Sequence, residues 1–231
     1  QYGNNILAGQ YAWTGVATPA EELPFNFRET FQDLWFNRKP VMKNQPGARV
    51  DLRAACNLRL DADGELAALA AFPVDRDRFG ETRFRVAKNE SGQSAVLFDG
   101  LFNPPGEFSA RLEVPLKQSR ADELHFLLTA THRTGLDSRL GEVVLRFTDG
   151  TEARADLLYG KNIFAWDDLR VGDDTRDAWK EITPDAGHVQ INDWTWRNPS
   201  PEKPIESLRI QSFGRESSPI LLAITLVDPR D

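Results

Sequence analysis

The chain has 231 residues, a formal net charge of −7 and a single cysteine, Cys56. The acidic balance argues against nucleic acid or an anionic membrane surface as a partner, and no apolar run approaches the roughly 20 residues that span a bilayer. One cysteine excludes an internal disulfide and a cysteine-rich zinc site. We therefore expect a globular protein with no nucleic-acid partner and no membrane insertion.

The first 48 residues are predicted to form a helical N-terminal segment and a linker. Residues 18–22 offer a threonine cap, a proline in the first turn and two acids at the positive end of the helix dipole. A second helix is predicted over about 26–37, where Phe27, Phe31 and Trp35 share one face. Prolines and a glycine in 38–48 then indicate a linker. We expect the aromatic face to pack on the rest of the chain or in a partner.

From residue 49 onward the apolar pattern changes to a period of two, which is typical of strands. The predicted strands are 49–54, 81–87, 94–98, 108–114, 123–132, 142–147, 151–157, 188–196, 205–213 and 220–227. Asp149-Gly150 between two of them is a strong hairpin signal. Many short strands without long helical patterns exclude a parallel α/β fold and predict an all-β antiparallel sandwich, of the jelly-roll kind, over 49–231.

The richest segment for binding chemistry is 159–197, which holds four of the six tryptophans. Tryptophan rings can stack on the C–H faces of sugars while amide, carboxylate and guanidinium groups bond the hydroxyls. The candidate ligand-binding residues are Tyr159, Asn162, Trp166, Trp179, Asn192, Asp193, Trp194, Trp196 and Arg197. Trp194 and Trp196 share one face of a strand, and the alternative that they fill the core stays open.

Metal binding and catalysis have weaker sequence signals. Asp61 and Asp63, followed by Gly64, resemble the start of a calcium loop, but the position of its final glutamate is Phe72. A structural calcium ion at Asp61 and Asp63 is thus one expectation, a polar turn is the other, and no further cofactor is expected. Tyr159, Lys161, His188 and Arg197 are the residues that a polysaccharide lyase would use. No acid stands in a recognisable catalytic context, so we expect no turnover by this chain alone.

Several short stretches, taken in order, carry a family resemblance. They are Val50–Arg53, Cys56-Asn57, Phe79-Gly80, Phe84–Val86, Tyr159–Ile163, Trp194 with Trp196–Pro199, Pro204–Leu208 and Pro219–Thr225. This order resembles the galactose-binding-like jelly-roll modules of bacterial secreted carbohydrate-active enzymes, over about residues 49–228. The resemblance implies a sugar-directed, extracytoplasmic role.

A second resemblance concerns the N-terminal 40 residues. Ile6–Thr14, Phe27-Arg28 and Phe31–Phe36 resemble the last strand and helix of the barrel in glycoside hydrolase family 20. Nothing here matches that family's catalytic Asp-Glu pair. The chain starts Gln1-Tyr2, without an initiator methionine, so we expect that a leader was removed or that the chain is part of something longer.

These observations predict a non-catalytic carbohydrate-binding or accessory module, and the resemblance implies that it is part of a glycoside hydrolase in an extracellular or periplasmic location. The expected partners are a polysaccharide or oligosaccharide and a neighbouring catalytic domain. Two alternatives stay open at this point. One is an enzyme, either a glycosidase fragment or a jelly-roll lyase, and the other is a structural module that docks on a neighbouring domain.

Overall fold

The chain folds into an antiparallel β-sandwich, as the period-two pattern predicts. The structure is a computed structural model that describes residues 48–61, 64, 66–184 and 186–228. The predicted N-terminal helices and most of the linker lie outside these residues. The strands are β1 (Ala48–Arg49), β2 (Arg78–Phe79), β3 (Thr82–Arg83), β4 (Val96–Leu97), β5 (Arg111–Ser119), β6 (Glu123–Ala130), β7 (Arg139–Phe147), β8 (Glu152–Leu158), β9 (Thr175–Thr183), β10 (Gly187–Arg197), β11 (Ile205–Ser212) and β12 (Pro219–Val227).

Two sheets form the sandwich. The larger has the order β1-β12-β6-β10-β9, with β4 also paired to β12, and the smaller has the order β5-β11-β7-β8. Every pairing between these strands is antiparallel. The hairpin predicted at Asp149-Gly150 joins β7 to β8, with Gly150 at φ +81° and Asp149 accepting a hydrogen bond from the Thr151 amide. The all-β, antiparallel fold class is therefore confirmed.

The main core lies between the two sheets. On β7, Val143, Leu145 and Phe147 alternate into this core, and on β10 Trp194 and Trp196 do the same. Full burial of one large aliphatic or aromatic side chain stabilises the folded state by about 1.5–3 kcal/mol. The alternation of apolar residues along the strands thus determines which face of each sheet points inward.

A second core covers the outer face of the larger sheet. The segment 66–84 crosses this face and carries β2, β3 and a short 3-10 helix, Ala67–Ala71. Phe72 stacks on Phe79 at 4.9 Å between ring centroids and both rings are buried. Because both faces of this sheet are covered, all nine residues of β12 are buried, which explains a run of apolar residues with no alternation.

Three of the predicted strands are reduced to strands of two residues, and the one predicted at 94–98 is limited to Val96–Leu97. The strand predicted at 49–54 ends at Arg49, because the amides of Ala55 and Cys56 bond back to the Leu52 carbonyl and turn the chain. The strand predicted at 81–87 is limited to Thr82–Arg83, although Phe84 is still buried and its neighbours in sequence point outward as the pattern indicated.

Two strands were not predicted, the two-residue β2 and the nine-residue β9. In β9, Ala178 and Trp179 are both buried although they are adjacent, and the register against β10 shifts between Ile191 and Asn192. Such a β-bulge places consecutive side chains on the same side and breaks the alternation that identifies a strand in the sequence.

Candidate functional site

The predicted binding residues on β10 divide between the two faces of the larger sheet. Trp194 and Trp196 point into the main core. Alternation places Asn192 on the same inner face, whereas Asp193 and Arg197 lie on the outer face. The prediction that the two tryptophans share a face is confirmed, but the five candidate residues of this strand cannot line one site.

Trp194 is a core residue. Its exposed fraction is 3%, and its ring stacks on Phe126 at 4.9 Å and on Trp196 at 6.3 Å between centroids. Protein atoms cover both faces of the indole, which leaves no face for a sugar. Trp196 is half-buried at the end of this stack.

Trp179 and Asn162 also have structural contacts. Trp179 is 7% exposed and meets the edge of Phe72 at 5.3 Å in the second core. The Asn162 side chain accepts a hydrogen bond from the Leu158 amide at 2.8 Å and donates one to the Asp156 carbonyl at 2.8 Å. Its polar atoms hold the turn that follows β8.

Trp166 lines a groove on the outer face of the larger sheet. The groove has a volume of about 440 Å³ and is lined by Gly64, Ala67, Ala68, Ala71, Trp166, Thr183 and Ala186. The indole is half-buried. The 3-10 helix supplies three alanines, the end of β9 supplies Thr183 and the turn before β10 supplies Ala186. Small side chains around a large ring therefore leave room for a ligand beside one aromatic surface.

The backbone of Trp166 is inserted into the sheet between the ends of β6 and β10. The Trp166 amide donates to the Ala130 carbonyl at 3.2 Å, and the Gln190 amide donates to the Trp166 carbonyl at 2.7 Å. Ala130 also donates to the Phe164 carbonyl at 2.8 Å. The adjacent Ala165 points into the main core while Trp166 packs against the second core, so alternation within this short segment directs the indole to the outer face.

Tyr159 belongs to a buried polar network rather than to an accessible site. Its hydroxyl donates to Asp168 Oδ2 at 2.8 Å, and the Arg170 guanidinium donates to the same carboxylate at 2.6–3.1 Å. Arg170 is the main cause that lowers the pKa of Asp168 to about 2. Burial, with the bond to Asp168, raises the pKa of Tyr159 to about 12. A fully buried phenol that stays protonated offers no base to a substrate, so this geometry does not favour the lyase alternative.

The other candidates of that alternative are dispersed. Lys161 forms an ion pair with Asp137 at 2.8 Å on the surface, and His188 is exposed near the start of β10. Arg197 lies at the opposite end of the strand, seven residues beyond Gln190. At about 3.3 Å per residue this separates Arg197 from the Trp166 backbone by about 23 Å.

A polar cluster on the outer face was not predicted from the sequence. His125 Nδ1 lies 3.0 Å from Asp193 Oδ1, and the Thr82 hydroxyl donates to Asp193 Oδ2 at 2.6 Å. Thr82 and Thr195 both meet the same imidazole nitrogen at 3.3 Å. In a nucleophilic triad the hydroxyl meets the imidazole nitrogen that the acid leaves free, so this cluster has the wrong geometry for that chemistry.

The cluster instead connects β3 to the sheet beneath it. A second bond in the same place runs from the Thr225 hydroxyl to the Arg83 carbonyl at 2.7 Å. Asp193, which was predicted to bind ligand, is buried and engaged in this connection. The strand predicted at 123–132 contains His125 and His132, but β6 ends at Ala130, so His132 lies beyond it and only His125 is in the strand.

The calcium prediction concerns a loop that is only partly described. Both oxygens of Asp61 accept hydrogen bonds from Arg59, at 3.0 and 3.1 Å, and this pairing lowers the pKa of Asp61. Asp63 lies outside the described residues. Among the residues that are described, no three His, Cys, Asp or Glu side chains come together in a way that could hold a metal ion.

No helix in the described ranges is long and apolar enough to cross a membrane.

Comparisons with protein-family models, with curated proteins and with solved structures find no match to this chain. The function therefore has to be inferred from the arrangement of the described residues. Of the nine predicted ligand-binding residues, Trp166 alone lines the groove. The alanines that line the groove with it were not predicted, and their sequence signal is the alanine-rich run Ala67-Ala68-Leu69-Ala70-Ala71.

Proposed function

We propose that this chain is a non-catalytic carbohydrate-binding or accessory module that binds its glycan in the groove beside Trp166. The observation that carries the proposal is a half-buried indole that lines a groove of about 440 Å³ together with three alanines of the 3-10 helix. That volume falls in the range of about 300–1,000 Å³ that is usual for small-molecule sites.

The chemistry of the groove favours the apolar face of a neutral sugar. An indole ring is a flat apolar surface on which a pyranose can stack its C–H bonds. Three alanine methyl groups of the 3-10 helix face the same space and add apolar contact. The hydroxyl of Thr183 already accepts a hydrogen bond from the Ala186 amide at 3.2 Å. Affinity should be modest, because each sugar hydroxyl exchanges water for protein at a net gain of about 1 kcal/mol.

The wider biological setting is part of the proposal. An antiparallel β-sandwich is compatible with a jelly roll of the galactose-binding-like kind, and the order of the short motifs in 49–228 supports that assignment. Such modules accompany secreted carbohydrate-active enzymes. We accordingly propose an extracellular or periplasmic location and attachment to a catalytic domain of a glycoside hydrolase. A calcium ion at Asp61 and Asp63, which precede Gly64 in the sequence, is part of the same proposal.

A glycan array on the full chain tests the proposal. The key variant is Trp166→Leu, which keeps apolar volume against the second core but removes the aromatic face. Trp196→Leu is the matched control, since Trp196 is also half-buried but packs in the main core. We expect the wild-type chain and Trp196→Leu to bind the same neutral glycans and Trp166→Leu to lose them while its circular dichroism spectrum is retained. Equal binding by Trp166→Leu would place the site elsewhere.

A further inference from the structure

The segment that carries Trp166 is fixed on both sides by buried polar contacts. Its backbone is paired to Ala130 and Gln190. Two residues later the chain reaches Asp168, which is 4% exposed and accepts hydrogen bonds from Tyr159 and Arg170. Nothing about stacking a sugar requires such a network, because neither Tyr159 nor Asp168 lines the groove.

Gln190 connects the two ends of this segment. Its backbone amide donates a hydrogen bond to the Trp166 carbonyl at 2.7 Å, and its side-chain Nε2 donates one to the Arg170 carbonyl at 3.1 Å. The same nitrogen donates to Asn192 Oδ1 at 2.5 Å. Gln190 is buried, so one residue of β10 holds Trp166 through its backbone and Arg170, a member of the network, through its side chain.

We propose that Asp168, Tyr159 and Gln190 are positioning residues that hold the Trp166 indole in its groove before a ligand arrives. The connection between β8 and β9 runs from residue 159 to residue 174 and contains no strand of the two sheets. A segment of this length would sample several arrangements unless buried contacts fix it. A platform that is already ordered avoids the loss of conformational freedom on binding, which is the general benefit of preorganisation.

The charge balance of the network shows why a substitution there would be felt at Trp166. The Asp168 carboxylate faces the Arg170 guanidinium, which is half exposed, and the Tyr159 hydroxyl, which is fully buried. The Arg170 guanidinium also lies over the Tyr159 ring, 5.9 Å from its centroid. Replacing the carboxylate by an amide removes the charge attraction that holds the Arg170 side chain. The Arg170 carbonyl, which accepts the hydrogen bond from Gln190, would then no longer be held in place.

Fluorine NMR of the full chain labelled with 5-fluorotryptophan tests this positioning role. The six tryptophans give six resonances, each assigned by a Trp→Phe substitution. In Tyr159→Phe and Asp168→Asn we expect the Trp166 resonance to broaden or split, while that of Trp194 in the main core stays sharp. A network that only stabilises the fold would leave Trp166 unchanged in the folded variants, or would alter all six resonances together, and either result overturns the proposal.

Two further variants keep the test decisive. If Asp168→Asn does not fold, Tyr159→Phe and Gln190→Ala serve in its place, since the first removes one hydrogen bond of the network and the second removes two. Asp149→Asn is the matched control, because Asp149 is an ion-paired carboxylate bonded to Lys203 and Thr151 at the distant β7–β8 turn. We expect it to leave the Trp166 resonance as in the wild-type chain, and broadening there would contradict a specific link.

The effect on affinity rests on the proposed function and is measured separately. For a neutral oligosaccharide that the wild-type chain binds, Tyr159→Phe should weaken binding about tenfold without changing which sugars are bound. Unchanged affinity with a broadened Trp166 resonance would refute the preorganisation step alone. Absence of glycan binding by the wild-type chain would refute the proposed function, whereas the fluorine spectra would still decide the positioning of Trp166.

Discussion

Truncation of Trp194 should be among the most damaging single changes in the sandwich. Its ring is 3% exposed and stacked between Phe126 and Trp196. A tryptophan buries about 150–250 Å², and about 25 cal/mol per Å² converts this area to roughly 4–6 kcal/mol. Part of the area is retained by the alanine methyl, so Trp194→Ala should lower the free energy of unfolding by about 4 kcal/mol, within the range of about 3–5 kcal/mol typical of such changes.

Urea unfolding followed by circular dichroism measures this loss. Trp196→Ala is the control in the same stack, and because its ring is half-buried we expect a smaller loss, about 2 kcal/mol. A loss below about 1 kcal/mol for Trp194→Ala would refute the placement of its ring in the core. It also follows that Trp194→Ala is a poor probe of sugar binding, because any loss of binding would reflect unfolding.

Three other predictions follow from burial, charge and backbone geometry. Cys56 is buried and burial raises the pKa of its thiol to about 11, so a thiol reagent at pH 8 should react only as fast as the domain opens, and immediate reaction would contradict its position. Asp168 has a lowered folded-state pKa of about 2 against 3.8, so it contributes about 2 kcal/mol above pH 4 that is lost as pH falls toward 2; Asp168→Asn should flatten that part of a stability–pH curve, and an unchanged curve would count against the network. Gly172→Ala would place a Cβ atom 1.7 Å from the Lys161 carbonyl oxygen, so its melting temperature should fall well below that of Gly135→Ala, where the nearest atom is a serine hydroxyl at 3.4 Å.

Local signals in the sequence predicted the parts of the fold that local geometry determines. Asp149-Gly150 requires a left-handed glycine and forms the β7–β8 turn. The alternation within the strand predicted at 142–147 puts Val143, Leu145 and Phe147 on one face, and that face of β7 packs in the core. The same rule failed at β9, because a bulge places Ala178 and Trp179 in the interior together.

The site could not be assembled from the sequence for a different reason. The groove combines residues from three separate parts of the chain, namely Gly64 with the alanines of the 3-10 helix, Trp166, and Thr183 with Ala186. No pattern within any one of these stretches shows that they meet. Asp193 was a reasonable candidate by its tryptophan neighbour, but the fold directs it to the other face, against His125 and Thr82.

The most direct test of the proposed groove is a titration of the fluorotryptophan-labelled chain with neutral oligosaccharides of glucose, galactose, xylose and mannose. Binding beside the indole should shift the Trp166 resonance in a saturable way and leave the buried Trp179 and Trp194 resonances in place. A saturable shift confined to Trp196, or no shift of Trp166 with any sugar that the chain binds, would contradict the assignment of the groove as the carbohydrate site.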